Sequence, residues 1–198
     1  MKSIVTDSII IILTYLIGCF STGYYLIRFR KKSDIRSTGS KSTGATNVGR
    51  QLGKTGFLIT FFGDMLKGVI ALWIPLYFQS DQLVTSVSLI AVVAGHIWPF
   101  QLGFKGGKGI AVLFGALLVY DYWLLLFTAI VFVLIFLLSR EFVLSGLIAI
   151  TMMPVAKLVT DDSVFNAFGI ILVSYLIVFA HRENIQQILN NENKERLK

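Results

Sequence analysis

The run Ile110-Ala-Val-Leu-Phe-Gly-Ala-Leu-Leu-Val-Tyr120-Asp121-Tyr122-Trp123-Leu-Leu-Leu-Phe-Thr-Ala-Ile-Val-Phe-Val-Leu-Ile-Phe-Leu-Leu138 decides the fold. It carries no charge except for one carboxylate between two tyrosines. Read as one helix it gives six membrane spans. Broken at Asp121 it gives a short segment, Ile110–Tyr120, and a full one, Trp123–Leu138, for a total of seven. The short segment cannot cross a bilayer unaided, since about 20 helical residues are needed; it either starts inside the preceding loop or lies re-entrant. The other spans follow from the same rule: Ile4–Phe29, Phe57–Phe78, Leu83–Phe100, Phe142–Val159 and Val164–Ala180. The N-terminal run is too long for a signal peptide, its preceding region holds only Lys2, and no convincing cleavage site follows.

Charge chooses between six and seven. With seven spans and the N-terminus outside, fifteen of the 18 basic residues fall in inner loops or the tail. The outer side keeps Lys2, with Lys157 near a helix end, and holds Asp7, Asp81, Asp121, Asp161 and Asp162. This is the positive-inside pattern; six spans would strand the basic tail outside. The sequence therefore predicts an all-α membrane protein, one bundle of about seven transmembrane helices, with its C-terminus cytoplasmic. Its three most polar segments (33–55, 101–109 and 181–198) converge on the cytoplasmic face. Composition agrees, at 55% hydrophobic residues and a mean hydropathy of +0.75. One Cys precludes an internal disulfide, and one Cys with two His is too few for a structural zinc site. Cys19 reads as packing.

Four constellations carry chemistry. The first is Ser33–Arg50, dense in hydroxyls, glycines and positive charge. Small residues let a backbone approach a ligand, and hydroxyls, free N–H groups and Arg suit a phosphate. Gly44, Thr46 and Asn47 belong to it, with Ser40 and Arg50 as polar contacts. The alternative is a flexible basic loop drawn to anionic lipid, as the run Arg28–Lys32 reads. Gly49–Thr55 falls one residue short of a Walker A loop and follows no strand, so nucleotide binding is set aside.

The second is Asp64 with Lys67, three apart on one helix face inside the second span. Charges at that depth are costly and face a polar interior. They are either a self-neutralising pair or direct ligands, and both can hold at once. The third runs from Gly95-His96 through Lys105-Gly106-Gly107-Lys108-Gly109. Glycines around two lysines ahead of a helix suit an anion at the helix N-terminus; the bland alternative is a turn with snorkelling lysines. The fourth is His181 and Asn184 at the exit of the last span. Histidine moves protons near neutral pH, although a helix-end cap explains the same residues.

Taken in order, these motifs resemble the acyl-phosphate-dependent glycerol-3-phosphate acyltransferases of bacterial membranes. The family's Gly-Ser-Gly-Asn-x-Gly-Ala-Thr-Asn-x-x-Arg is read here over Gly39–Arg50. Its Asp-x-x-Lys-Gly falls on Asp64, Lys67 and Gly68, its Gly-His…Lys-Gly-Gly-Lys-Gly on Gly95–Gly109, and its His-Arg-x-Asn-Ile on His181–Ile185. Two places depart: Lys41-Ser42 replaces Gly-Asn, and the tail has Glu192 one place early for the usual Gly-x-Glu. A divergent paralogue is therefore a rival reading, and a small transporter of phosphorylated or lipidic solutes is another. No inverted repeat of broken helices supports the transporter.

The resemblance implies one integral-membrane acyltransferase domain over residues 1–198, in the bacterial cytoplasmic membrane with its active site facing the cytoplasm. It implies acyl transfer from acyl phosphate to the 1-hydroxyl of sn-glycerol 3-phosphate, giving lysophosphatidic acid and phosphate. No metal or cofactor is expected, nor any nucleic-acid partner. Membrane lipid and transient contact with the acyl-phosphate-forming enzyme are. Lys105, Lys108, the Gly106, Gly107 and Gly109 amides and Arg50 are expected to bind phosphate, with Asp64, Lys67 and His96 in the same site. Ser40 and Asn47 are expected to contact polar substrate. His181 and Asn184 are expected to orient or deprotonate the acceptor hydroxyl. An acyl-enzyme on Ser40 is a lesser alternative, because no partnered base is set by sequence.

Overall fold

Hydrophobic length and polar breaks set the helix boundaries. The structure, a computed structural model, describes residues 4–160 and 164–196. In chain order the helices are α1 (Ile4–Cys19), α2 (Thr22–Lys31), α3 (Ala45–Tyr77), α4 (Gln82–Ile97), α5 (Ile110–Tyr120), α6 (Tyr122–Ser139), α7 (Phe142–Thr160), α8 (Val164–Ala180) and α9 (Arg182–Arg196). The described residues contain no strand. Lys2, Asp161, Asp162 and Lys198, and the side chains of Glu192, Lys194 and Arg196, lie outside what is described.

Among the described residues, five helical segments are long and apolar enough to cross a membrane: Ile4–Lys31, Ala45–Tyr77, Gln82–Leu102, Tyr122–Ser139 and Phe142–Thr160. Phe165–Ala180 of α8 and Arg182–Ile188 of α9, bent by 58°, make a sixth if taken as one span. The chain does break at Asp121. Its Oδ1 accepts from Leu124 N at 3.0 Å and caps α6, and its Oδ2 accepts from Lys157 Nζ at 2.6 Å. Helix α5 begins at Ile110, after the glycine loop. At 11 residues it is about 16 Å long at 1.5 Å per residue. It tolerates this shortness because protein covers it: Val112, Leu113, Ala116 and Leu117 are fully buried.

Two boundaries differ from the sequence reading. Helix begins already at Ala45, so the latter half of the first polar loop is helical, and a kink separates it from the apolar helix that carries the second span. The loop's polar residues concealed this, and the irregularity sits at Gly53 (φ 70°, ψ −164°), a backbone open to glycine. The first span is not continuous: it breaks at Phe20–Ser21. The tail, expected only as polar chain, is helix α9.

The core forms where α4, α5, α7 and α8 meet. Leu89, Val92, Leu113, Ile150, Ile170 and Ile177 are at most 1% exposed there. Glycines mark the closest helix approaches: a Cβ on Gly115 would lie 1.8 Å from Met65 O, and one on Gly18 would lie 2.3 Å from Val92 O. Helix α6 instead turns Ile130, Leu134 and Leu137 outward, each more than half exposed, as a lipid-facing helix does.

Candidate active site

Asn47 organises the first loop. Its Nδ2 donates to Ser42 O at 2.8 Å and Thr38 O at 3.1 Å, and its Oδ1 accepts from Ser40 N at 3.2 Å. Asn47 lines the cavity below, but its amide is committed to holding the loop. Lys41 takes a left-handed φ of 55°, which suits the family's glycine and costs a side-chain-bearing residue about 1–2 kcal/mol. Lys41 is exposed.

The loop is tied to its partners at several points. Thr43 N donates to Gly106 O at 3.2 Å. Arg36 pairs with Asp34 at 2.7 Å and donates to Leu102 O, which joins the first loop to the second. That guanidinium holds the Asp34 carboxyl below its ordinary range. Lys108 Nζ donates to Asn184 Oδ1, which joins the second loop to α9.

Between these segments lies a cavity of about 380 Å³. Ser40, Ser42, Gly44, Thr46, Asn47, Arg50, Asp64, His96, Lys108, Gly109, His181 and Asn184 line its polar part. The N-termini of α3 and α5 both open on it, through Gly44–Ala45 and Gly109–Ile110. A helix N-terminus presents free N–H groups and partial positive charge to an anion. Two such termini, with Arg50 and Lys108 between them, suit more than one phosphate.

The cavity then continues into an apolar arm walled by Phe57, Phe61, Phe114, Phe132 and Phe142, with Val143, Gly146, Ala149 and Ile150 of α7. The sequence reading, which expects an acyl chain to lie between helices, names none of the arm's residues. Phe114 and Phe132 sit in helices that are apolar on nearly every face, so no contrast marks their cavity side, whereas Phe57 and Phe61 share a face of α3 with Asp64, a signal that could have found them.

Four of the expected residues are engaged elsewhere. The Gly106 and Gly107 amides donate to Ile97 O and His96 O, both at 3.0 Å, so they shape the turn and are not free for phosphate. Lys105 is exposed and lies with Asp34, Arg36 and Gln101 at a separate surface cleft. Lys67 is 5% exposed and points into the break of the first span, away from the cavity lining. Its Nζ donates to Gly18 O at 2.9 Å, to Phe20 O and to His96 Nδ1 at 2.8 Å, and pairs with Asp64 Oδ1 at 3.3 Å. The same Asp64 oxygen accepts from Thr22 N at 3.3 Å. Cation meets the carbonyl end of α1 and anion meets the amide end of α2, each favoured by the helix dipole.

The two histidines have opposite tautomers. An ammonium only donates, so His96 Nδ1 accepts from Lys67 and its ring proton is on Nε2. A carbonyl only accepts, so His181 Nδ1 donates to Ile177 O at 2.8 Å, which leaves Nε2 as the acceptor. Burial pushes the His181 imidazole down to about 4; the Ile177 carbonyl opposes this, and Lys108 adds to it. His181 is thus neutral at pH 7, with a free lone pair. Burial also lowers the Lys108 ammonium, with Glu183 opposing and Arg50 reinforcing.

Comparison with known proteins matches this arrangement to one family. The family described as glycerol-3-phosphate acyltransferase matches residues 8–191. Glycerol-3-phosphate acyltransferase 1 of Desulfitobacterium hafniense (strain Y51) is 44% identical over 190 residues, which is 96% of this chain and 94% of that protein. The glycerol-3-phosphate acyltransferase of Clostridioides difficile (strain 630) is 36% identical, over 94% of each chain. Among solved structures, the integral membrane glycerol 3-phosphate acyltransferase PlsY, in its glycerol 3-phosphate form, superposes with a TM-score of 0.87. It is 34% identical and matches 94% of this chain and 93% of its own. The lysophosphatidic acid form gives 0.84 at 33% identity, with the same shares. Matched over nearly its whole length in sequence and in fold, the chain belongs to the glycerol-3-phosphate acyltransferase family.

Proposed function

We propose that this cavity transfers a fatty acyl group from acyl phosphate to the 1-hydroxyl of sn-glycerol 3-phosphate, giving lysophosphatidic acid and phosphate. The observation that carries this reading is a single cavity with two helix N-termini, Arg50 and Lys108 at one end and an arm of five phenylalanines at the other. Such a site fits a reaction in which both reactants carry phosphate and one carries a chain. The glycerol 3-phosphate and lysophosphatidic acid forms of PlsY support the acceptor and the product.

Acyl phosphate is an activated mixed anhydride, so positioning and anion binding supply most of the catalysis. The acceptor oxygen attacks the acyl carbon, the bond from that carbon to the phosphate oxygen breaks, and phosphate leaves. His181 Nε2 takes the hydroxyl proton and returns it to the departing phosphate. Asn184 holds Lys108 at the phosphate end, and the first turn of α3 with Ser40 and Arg50 receives the second phosphate. The basic residues clustered at this end support a site that faces the cytoplasm from a bacterial cytoplasmic membrane, with the donor's chain entering sideways and the acceptor arriving from water. The whole chain acts as one domain, and the acyl-phosphate-forming enzyme is its transient partner.

The test is purified protein in lipid or detergent, given palmitoyl phosphate or palmitoyl coenzyme A with glycerol 3-phosphate. Stoichiometric lysophosphatidic acid and phosphate from the first donor alone is the expected result. Turnover with the thioester instead would overturn the donor assignment.

A further inference from the structure

The apolar arm contains a notch that no side chain fills. Phe142, Val143, Gly146, Ala149 and Ile150 line the arm from α7, spaced so as to share one helix face. From 142 to 150 this stripe is about 12 Å long at 1.5 Å per residue. Successive helices alternate direction: α8 ends at the polar site, at His181, so α7 begins there. Phe142 thus lies near the reacting end and Ile150 deep in the bundle, with Gly146 between them.

Gly146 differs from other helical glycines of the bundle. A Cβ on Gly18, Gly23, Gly68, Gly95 or Gly115 would fall 2.3 Å or less from a neighbouring backbone oxygen, so close packing requires those glycines. A Cβ on Gly146 would meet nothing within 4 Å, and its φ is not in the left-handed region. Neither packing nor backbone geometry calls for glycine there, and glycine weakens a helix interior. What remains is the open space itself, which faces the cavity.

We propose that Gly146 determines acyl-chain length: its absent side chain keeps the arm open from the reacting end down to Ala149 and Ile150. This rests on reading the arm as the acyl site. A larger residue at 146 closes the passage, so long chains are refused while short ones, which stop before it, are still transferred.

The experiment compares butanoyl and palmitoyl phosphate as donors for wild type, Gly146→Ala and Gly146→Leu at saturating glycerol 3-phosphate. Gly146→Leu is expected to shift the ratio of the two kcat/KM values toward the short donor by about tenfold or more, the scale on which a filled pocket rejects extra methylenes. The KM for glycerol 3-phosphate should stay at the wild-type value. Gly146→Ala should fall between wild type and Gly146→Leu. A second route does not depend on the bulky variant folding. Gly146→Cys in a Cys19→Ala background is purified and then converted to mixed disulfides with alkyl methanethiosulfonates of increasing length, releasing methanesulfinate; each longer adduct should deepen the shift. An unchanged donor ratio, or equal loss on both donors, overturns the proposal while the acyltransferase reading stands. A wild-type protein with no turnover on either donor overturns both.

Discussion

His96 is gripped from both sides: its Nδ1 accepts from Lys67 Nζ at 2.8 Å, and a methyl on Gly107 would fall 2.1 Å from its Nε2. The buried charge pair in the second span is thereby linked, through one immobile ring, to the residue that precedes Lys108. Removal of the Asp64–Lys67–His96 group is therefore expected to be felt first as instability.

Lys67→Met leaves Asp64 buried without its cation and frees the carbonyls of the first-span break. Removing one partner of a buried pair typically costs about 3–5 kcal/mol. The expected outcome is a large drop in thermal unfolding temperature in detergent. Asp64→Asn combined with Lys67→Met should lose less than the sum of the single variants, because the charges are coupled. Strict additivity would mean that the pair is not a unit.

Gly107→Ala should abolish most turnover while the protein still folds. The added methyl cannot share space with His96, so the turn carrying Lys108 must shift. Displacements of about 1 Å at a reacting centre cost on the order of a hundredfold in rate. Steady-state rates with palmitoyl phosphate check this; wild-type kinetics would show that the turn yields freely.

Lys108→Met removes a partly desolvated cation at the cavity's phosphate end. Hydrogen bonds to charged groups contribute roughly 1.5–3 kcal/mol, so kcat/KM should fall about ten- to a hundredfold. Asn184→Ala, which releases the Lys108 ammonium, should give a smaller loss of the same kind. Measured affinity for inorganic phosphate should weaken in parallel, and an unaltered phosphate affinity would remove Lys108 from the anion site.

The pH profile distinguishes two proton acceptors. His181 has its pKa pushed down to about 4, so its base form is complete well above pH 4 and is lost as pH falls through that value. A phosphate monoester takes up its proton near pH 6. With His181 as the base, kcat at saturation should hold through pH 6 and fall only toward pH 4. A limb centred near 6 that persists in His181→Gln would assign the proton to a substrate phosphate.

The sequence exposed whatever stood out against an apolar background. Asp121 was a lone carboxylate between aromatic residues, and it is where the helix breaks. The glycine–lysine loop and the pair His181 and Asn184 were polar islands, and the cavity gathers them. What stayed hidden lacked contrast or concerned the backbone. The first-span break at Phe20–Ser21 has no proline or charge of its own; the signal for it lies in Lys67 and Asp64, 42 or more residues away, which satisfy its freed groups. The commitment of the Gly106 and Gly107 amides depends on how the chain turns beneath Trp98 and Pro99, which composition does not encode.

The cavity's division into a charged mouth and an aromatic sleeve also determines how its reactants must be counted. The acceptor is delivered by three-dimensional diffusion and obeys its molar concentration. On the proposed reaction the donor and the product would travel in the plane of the leaflet, so their occupancy would follow mole fraction among surrounding lipids. Doubling the bilayer at constant bulk donor should therefore raise the apparent KM for donor and leave that for acceptor alone. In the cell, the rate of this step would then track how crowded the leaflet is with acyl phosphate, a surface density rather than a concentration.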